Sequence, residues 1–432
     1  MDDGRHNGGE AASQQWEHTR WNFLWLVTES SAFQIGMAWV DPSAVLPLFM
    51  GHLTKSTVLL GLAVVLLRFG WVVPQLVIAL IVGHRARRAP FLRWGVFFGR
   101  IPLTLFVLYL WIAGLANPGL VLVGLLVSYA FIALGNGVVA VPLQDITAKS
   151  IPPWLRGRFF GTIVLATAIA TFGVGYLVRG LLGPSGPGFP RDYTILFTMM
   201  ALFLGLSTLG CGMAREPLRP VLAKPETLGS LVSAALHLVR RVPGFLSLVA
   251  VSIVGVGLAL SMPFYMVYAT ERLSVPPEMA GIYIWAGMLG AAGFSMLWGY
   301  LNDRRGPRSV LRGGSLAITF PPVLALVLPA LAEVAHLESA LPYLFALVFM
   351  TGGATRGAFR MGLSNYLFEL ASDEERPRYI AIMNTLAVPG TLVPLLVGWG
   401  LNSIPFQTVF TLLAAAGTVT LGITLSMPNR KS

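Results

Sequence analysis

A few charged residues lie within long apolar segments of the sequence, where an ionised group is costly to keep. They are two carboxylates and four guanidiniums: Glu29, Asp41, Arg68, Arg100, Arg356 and Arg360. On insertion scales a charge at the centre of a bilayer costs at least roughly 2.5 kcal/mol, so such residues are candidates for function. A carboxylate can carry a proton, and a guanidinium can bind a carboxylate or phosphate through two parallel hydrogen bonds. The excess of arginines favours a substrate with an anionic group.

The arginines at positions 356 and 360 are four residues apart, so they share one face of a helix. Their own segment contains no acid before Glu369, close to its end. Gly353 and Gly357 flank Arg356 and would let a ligand or another helix approach closely. Two interpretations remain open. The pair binds an anionic substrate, or it pairs with an acid on a distant helix or with carbonyls at a helix end.

The remaining intramembrane charges predict two ion pairs. Glu29 and Arg100 lie at similar depth from one end of their segments, while Asp41 and Arg68 lie deeper or towards the other end. Either carboxylate could carry a coupling proton. The alternative is that both pairs only tie the first three helices together, because buried ion pairs also serve structure.

Uncharged polar residues near the middle of apolar segments are further candidates for substrate contact. We single out Gln34, Asn136 and Tyr265. A tyrosine in such a segment more often packs or anchors at an interface than contacts a ligand.

The composition identifies a membrane protein. Of the 432 residues, 55% are hydrophobic and 11% are charged, and the mean hydropathy is +0.72. A soluble domain has roughly 25% charged residues. The net charge of +11 comes from basic residues in short loops, so nucleic-acid binding is not expected. The single cysteine, Cys211, excludes an intramolecular disulfide. We expect a monomer in the lipid bilayer, with no cofactor or metal.

Apolar runs of about 20 residues or more recur along the chain, and each is long enough to span the hydrocarbon core. This predicts an all-α polytopic membrane protein with twelve transmembrane helices arranged as two six-helix halves. The predicted spans are 22–48, 56–82, 94–115, 119–146, 158–182, 193–214, 244–270, 278–301, 309–331, 341–370, 379–401 and 405–427.

The basic residues predict the orientation of these spans. Of the 30 Lys and Arg residues, four lie deep inside spans, namely Arg68, Arg100, Arg356 and Arg360, and four lie in loops or span ends on one side, namely Lys55, Arg179, Arg191 and Arg272. The others lie on the opposite side, together with both termini. Because basic loops stay in the cytoplasm, we expect cytoplasmic termini and a location in the inner, or plasma, membrane of a bacterium.

The longest connection divides the chain into domains. We predict a disordered tail at 1–19, an N-terminal half at 20–214, a linker at 215–243, a C-terminal half at 244–427 and a short tail at 428–432. Residues 1–19 are too polar to fold alone. Apolar residues of the linker recur at helical spacing, which predicts an amphipathic helix on the inner membrane face.

The loop from Gly299 to Arg308 places a dense charge cluster between two apolar runs. Its spacing of Gly299, Asp303, Arg304, Gly306 and Arg308 resembles the loop signature of the major facilitator superfamily of secondary transporters. A weak repeat supports the resemblance, since Arg87-Arg88-Ala89-Pro90 parallels Arg304-Arg305-Gly306-Pro307 at an offset near 220 residues, and a parallel repeat is an architecture of these transporters.

The resemblance implies a transporter of a small molecule that works by alternating access around a midplane site. In this family the tenth helix lines the central cavity, which makes Arg356 and Arg360 the expected substrate contacts. The resemblance also implies a cytoplasmic gate made by the loop residues with Asp145, Arg158 and Glu369. Asp303 would face the start of span five near Arg158, and Arg304 would reach Glu369.

The sequence departs from the family in one respect and leaves other functions open. The corresponding loop at 82–88 lacks an acidic residue, so the resemblance does not imply an equivalent gate contact in the N-terminal half. Span five lacks the Gly-Pro step of drug-exporting antiporters, although drug efflux remains an alternative. An integral-membrane enzyme would need clustered aspartates or a histidine with an acid, and none is found. A non-transporting protein with the same fold is the third alternative.

Overall fold

Helices make up most of the structure, a computed structural model that describes residues 3–82, 85, 87–217, 228–371 and 375–428. The described residues contain no strand. The helices before the linker are α1 (Asp3–Trp39), α2 (Val45–Leu53), α3 (Thr57–Val82), α4 (Ala89–Ala113), α5 (Pro118–Ser150), α6 (Pro153–Leu182) and α7 (Arg191–Met213).

The linker contains a helix, α8 (Leu228–Arg241), as its apolar spacing predicts. The helices that follow are α9 (Phe245–Ala259), α10 (Met262–Arg272), α11 (Met279–Arg305), α12 (Pro307–Ala317), α13 (Phe320–Val334), α14 (Leu341–Leu344), α15 (Ala346–Leu370), α16 (Arg376–Leu386), α17 (Val393–Gly400) and α18 (Phe406–Ser426). Short 3-10 segments at Glu338–Ala340 and Val388–Leu392 precede α14 and α17.

Ten helical segments of the described chain are long and apolar enough to cross a membrane. They match ten of the predicted spans, which confirms an all-α integral membrane protein. The other two predicted spans, 22–48 and 341–370, correspond to α1 with α2 and to α14 with α15. The twelve-span count stays a prediction.

Proline interrupts several of the predicted spans. Pro42 follows Asp41 at the break in the first span. Pro263 and Pro321 are the second residues of α10 and α13, and Pro389 lies in the 3-10 segment before α17. A proline lacks the N–H that the helix ladder needs and biases the preceding residue away from helical geometry. Span one therefore breaks at residues 40–44, which leaves Asp41 at the start of a new helical turn.

The first helix differs from the sequence expectation, because α1 begins at Asp3 inside the segment 1–19 predicted to be disordered. Ala, Glu and Gln between positions 10 and 17 favour helix, and they continue directly into the apolar part of α1.

Close contacts divide the chain into two compact units. Unit 1 contains Met1–Trp39, Val73–Gly173 and Tyr193–Pro225. Its core includes Leu26, Leu92, Ile146 and Cys211, all buried. Helices α4 and α5 touch at Gly99 and Gly135, where an added Cβ on Gly135 would lie 2.6 Å from the carbonyl oxygen of Gly95. Small residues thus allow backbone contact between these helices.

Unit 2 contains Val40–Val72, Val174–Asp192 and Glu226–Ser432. Helices α11 and α15 pack closely in it, since a Cβ on Gly353 would lie 1.9 Å from the carbonyl oxygen of Gly287. Unit 2 also includes residues 40–72 and 174–192, which the sequence analysis assigns to the N-terminal half. The predicted domain boundaries remain predictions.

Candidate functional site

A small cavity in unit 2 brings together two of the predicted intramembrane charges. Its volume is about 20 Å³, enough for roughly one water molecule. Its lining consists of Asp41, Ser43, Met262, Tyr283, Ile284, Gly287, Phe349 and Arg356. The acid comes from the break after α1 and the base comes from α15, so the fold joins residues that are 315 positions apart.

The carboxylate of Asp41 is held by the broken helix. Its Oδ1 atom accepts hydrogen bonds from the backbone N–H groups of Ser43, at 2.8 Å, and Ala44, at 3.0 Å. The main-chain carbonyl of Asp41 accepts from Val45 at 3.0 Å, so the helical turn restarts there. N–H groups at the start of a helix lack intrahelical partners, and a carboxylate is a favoured acceptor for them. Asp41 therefore has a fixed position that does not depend on Arg356.

Arg356 is exposed, and it makes no hydrogen bond or ion pair within 4 Å to any residue that the structure describes. An added Cβ on Gly287 would lie 3.4 Å from its Nη2 atom, so this glycine gives the guanidinium room beside α11. Arg360 and Ser364 follow on the same exposed face of α15 at helical spacing. A polar face on such a helix requires water or a polar partner, because lipid provides neither.

Arg68 approaches the same site from α3. Its side chain is exposed, its guanidinium lies 5.5 Å from the ring centre of Trp71, and it interacts electrostatically with Arg356. The predicted ion pair of Arg68 with Asp41 is not found among the described residues. Linear depth suggests that pairing, whereas the break at Pro42 instead directs Asp41 into the cavity lined by Arg356.

Unit 1 holds a separate buried polar cluster. The Nη2 atom of Arg100 donates to Oδ1 of Asn136 at 2.9 Å, and its guanidinium lies 5.5 Å from the ring centre of Phe33. Glu29 accepts a hydrogen bond from the hydroxyl of Ser30 at 2.8 Å. Glu29 and Arg100 are both buried but do not form the predicted ion pair within 4 Å in the described part of the chain.

The three uncharged candidates have different surroundings. Asn136 is the partner of Arg100, as described above. The Gln34 amide donates to the main-chain carbonyl of Ser30 at 3.2 Å, and its side chain is exposed. Tyr265 is buried in unit 2, with its ring centre 4.8 Å from that of Phe410. Packing against a neighbouring ring accounts for Tyr265 without a substrate.

The loop that resembles the family signature ends α11 and makes a sharp turn into α12. Gly306 has a φ of +76°, a conformation that glycine adopts without steric cost. The guanidinium of Arg304 lies 5.6 Å from the ring centre of Tyr300, and its pairing with Glu369 stays a prediction. Glu369 interacts electrostatically with Arg308.

The other gate candidates are held in local contacts. The amide of Asn302 lies 3.5 Å from Oδ1 of Asp303. Asp145 forms ion pairs with Arg88 at 2.9 Å and with Lys149 at 2.5 Å. Arg158 is exposed at the start of α6. Asp303 and Arg158 belong to different units, and their pairing stays a prediction.

A carboxylate that the sequence pattern does not single out lies at the start of α4, next to a loop that has no acid in its own sequence. Glu216, after α7, accepts hydrogen bonds from the backbone N–H groups of Arg88, at 2.8 and 2.9 Å, and Ala89, at 2.8 Å. It thereby caps the start of α4, where a negative charge is favourable. A helix that begins at Ala89-Pro90 has N–H groups without intrahelical partners, so the sequence predicts that some acceptor binds them. It does not indicate which residue supplies that acceptor.

Helices of unit 2 also touch at the end predicted to be external. The Thr57 hydroxyl at the start of α3 donates to the carbonyl of Gly398 on α17 at 2.5 Å. An added Cβ on Gly398 would lie 2.3 Å from the carbonyl oxygen of Thr57, and one on Gly61 would lie 2.5 Å from that of Pro394. Glycines therefore allow α3 and α17 to meet backbone to backbone.

Comparisons with known proteins agree with this architecture. Residues 248–431 match the model of the Major Facilitator Superfamily, and no curated protein matches the chain. A mutant of the nucleoside transporter NupG is 12% identical and superposes with a TM-score of 0.71, covering 94% of this chain and 100% of that one.

Two further structures have the same fold. A bacterial homologue of the iron transporter ferroportin is 14% identical, with a TM-score of 0.65 over 95% of this chain and 98% of its own. A POT family transporter in complex with 5-aminolevulinic acid is 13% identical, with a TM-score of 0.64 over 94% of both chains. The resemblance seen in the loop signature is thereby confirmed.

Proposed function

We propose that this chain, a major facilitator by its fold and by the match of residues 248–431, is a secondary transporter of a small anionic molecule. It would work by alternating access with proton coupling. The observation that carries the proposal is the exposed guanidinium of Arg356, which lines a water-sized cavity with Asp41, interacts with it electrostatically and makes no hydrogen bond or ion pair within 4 Å to the described residues. The fold itself serves many substrates, so the substrate class is argued from this site.

An anionic substrate follows from the charges around the cavity. Arg68, Arg356 and Arg360 are exposed on largely apolar helices, and Asp41 is the one acid in the cavity lining. Like charges repel, so Arg68 and Arg356 can stay near each other more easily once an anion lies between them. A carboxylate or phosphate fits this arrangement, because each guanidinium offers a planar pair of N–H donors.

Proton coupling follows from the position of Asp41. When ionised, Asp41 repels an incoming anion and competes with it for Arg356. When protonated, it no longer repels the anion, so proton and anion bind more tightly together than either does alone. By linkage, each ligand then increases the affinity for the other by the same factor. This is the thermodynamic basis of symport.

A two-stage experiment tests the proposal. Purified protein is first screened by thermal unfolding against small carboxylates, phosphate esters and neutral analogues matched in size. A stabilising anion is then assayed for uptake into proteoliposomes with and without a pH gradient. We expect stabilisation by anions only and uptake that rises when the outside is acidic. Stabilisation by the neutral analogues alone would refute the anionic substrate, and no accumulation under any gradient would refute transport.

The proposed orientation has its own test. With Cys211 replaced by serine, single cysteines are introduced at Arg241 in α8 and at Ser339 before α14, both exposed. An impermeant thiol reagent added to intact cells should label Ser339→Cys and leave Arg241→Cys unlabelled until the cells are opened. The reverse pattern would mean that the termini and the Gly299–Arg308 loop lie outside the cell.

A further inference from the structure

A second cavity lies at the end of α11 and shares no residue with the Asp41 cavity. Its volume is about 370 Å³, and its lining consists of Leu301, Arg305, Arg308, Ser309 and Arg312. Three guanidiniums and no carboxylate line this space. The proposed transport mechanism does not involve this cavity.

Two of these arginines are fixed on the end of α18. Arg308 donates from Nη1 to the carbonyl of Met427 at 3.0 Å. Arg312 donates from Nε to the carbonyl of Thr424 and from Nη2 to that of Leu425, both at 3.3 Å. A guanidinium carries five N–H donors, so each keeps donors for another acceptor. Cations at a helix C-terminus are favourable, which makes the anchoring stable.

Arg305 completes the basic lining. Its side chain is exposed and makes no hydrogen bond or ion pair to the described residues. Glu369 does not line the cavity, but its carboxylate interacts electrostatically with Arg308. One carboxylate does not neutralise three guanidiniums, so the cavity is positively charged.

Exposed apolar side chains continue from the arginines along the same helix faces. On α11, Leu301 and Leu297 precede Arg305 at spacings of four residues, and Leu297 is 43% exposed. On α12, Leu316 follows Arg312 at the same spacing and is 49% exposed, and Leu425 on α18 is 57% exposed. The arginines of the cavity therefore adjoin exposed apolar side chains on all three helices.

We propose that this cavity binds the phosphate headgroup of an anionic phospholipid, with its acyl chains along the apolar faces of α11, α12 and α18. The arginines supply charge-assisted hydrogen bonds to the phosphate, as basic pockets on the cytoplasmic side of membrane proteins do. A soluble phosphate would bind the arginines but would make no contact with the adjoining leucines, whereas the acyl chains of a lipid would cover them. The bound lipid would join the ends of three helices beside the Gly299–Arg308 loop.

The test measures binding of phosphatidylglycerol to the purified, detergent-solubilised full chain by native mass spectrometry and thermal unfolding. Phosphatidylcholine and inorganic phosphate serve as comparison ligands. Arg305→Gln is the test variant, because Arg305 has no described structural contact. Arg304→Gln is the matched control, since it removes the same charge one residue away and outside the cavity lining.

We expect phosphatidylglycerol to bind and stabilise the protein more than phosphatidylcholine does. Arg305→Gln should weaken its binding about five-fold, since one basic residue near an anionic surface contributes about 1 kcal/mol, while Arg304→Gln should change it less than two-fold. Equal weakening by both variants would overturn the site, because it would indicate diffuse attraction. Equal stabilisation by inorganic phosphate, lost in Arg305→Gln, would overturn the lipid assignment in favour of a soluble anion.

Discussion

Replacing Arg356 by lysine should weaken binding of the anionic substrate while leaving the protein folded. Lysine keeps the positive charge but cannot reproduce the planar pair of donors. Losing one of two hydrogen bonds to a charged group costs about 1.5–3 kcal/mol, or about 10- to 150-fold in the dissociation constant. The change adds no bulk beside Gly287 and removes no bond within the protein, because Arg356 makes none to the described residues.

The variant Arg356→Ala should bind still more weakly. Asp41 would lose its basic neighbour but would keep the backbone donors of Ser43 and Ala44, so folding should persist. Binding is measured by titration of the purified protein, and folding by its thermal unfolding temperature. Arg241→Lys in α8 controls for a change of cation type elsewhere.

Two results would refute this reasoning. One is unaltered binding and uptake in both Arg356 variants. The other is a folding defect in Arg356→Ala that Asp41→Asn rescues, because rescue by removing the acid would identify a structural ion pair. In that case Arg356 would stabilise the fold of unit 2 and the substrate would bind elsewhere.

The remaining predictions address coupling, gating and packing. Asp41→Asn should bind the anion with the affinity that the wild type reaches at low pH, and its binding should no longer vary with pH. Glu29→Gln should keep the pH dependence of the wild type. If binding becomes independent of pH in Glu29→Gln alone, the coupling residue is Glu29 of unit 1. Asp303→Asn should reduce uptake more than purified yield, and full uptake would reduce the loop to a turn. Gly353→Ala should lower stability by about 1–3 kcal/mol through overpacking against α11, whereas Gly299→Ala, with open space around it, should not.

Much of the architecture could be predicted because the bilayer limits the options. Apolar length and flanking glycine or proline predict the helices closely, as the agreement of α4, α7 and α18 with spans 94–115, 193–214 and 405–427 shows.

The partners of the charged residues could not be predicted in the same way. Depth along a span suggests Arg68 for Asp41, but the side-chain direction of Asp41 depends on the break at Pro42. The neighbour of Arg356 depends on which helix packs beside α15, and that is decided by the close contact of Gly353 with Gly287. Such pairings are properties of helix packing, which a linear pattern does not contain.

The backbone contact of α3 with α17 has a consequence for kinetics. Thr57, Gly61, Pro394 and Gly398 meet without any charged group, so separating them exposes no unpaired ion. The rate of that separation should therefore be insensitive to ionic strength. The ion pairs of Asp145 with Arg88 and Lys149, in contrast, are weakened by salt. A salt dependence of turnover would then point to steps that break charged contacts such as those of Asp145, and a turnover insensitive to salt would leave the separation of α3 from α17 as a candidate for the slow step.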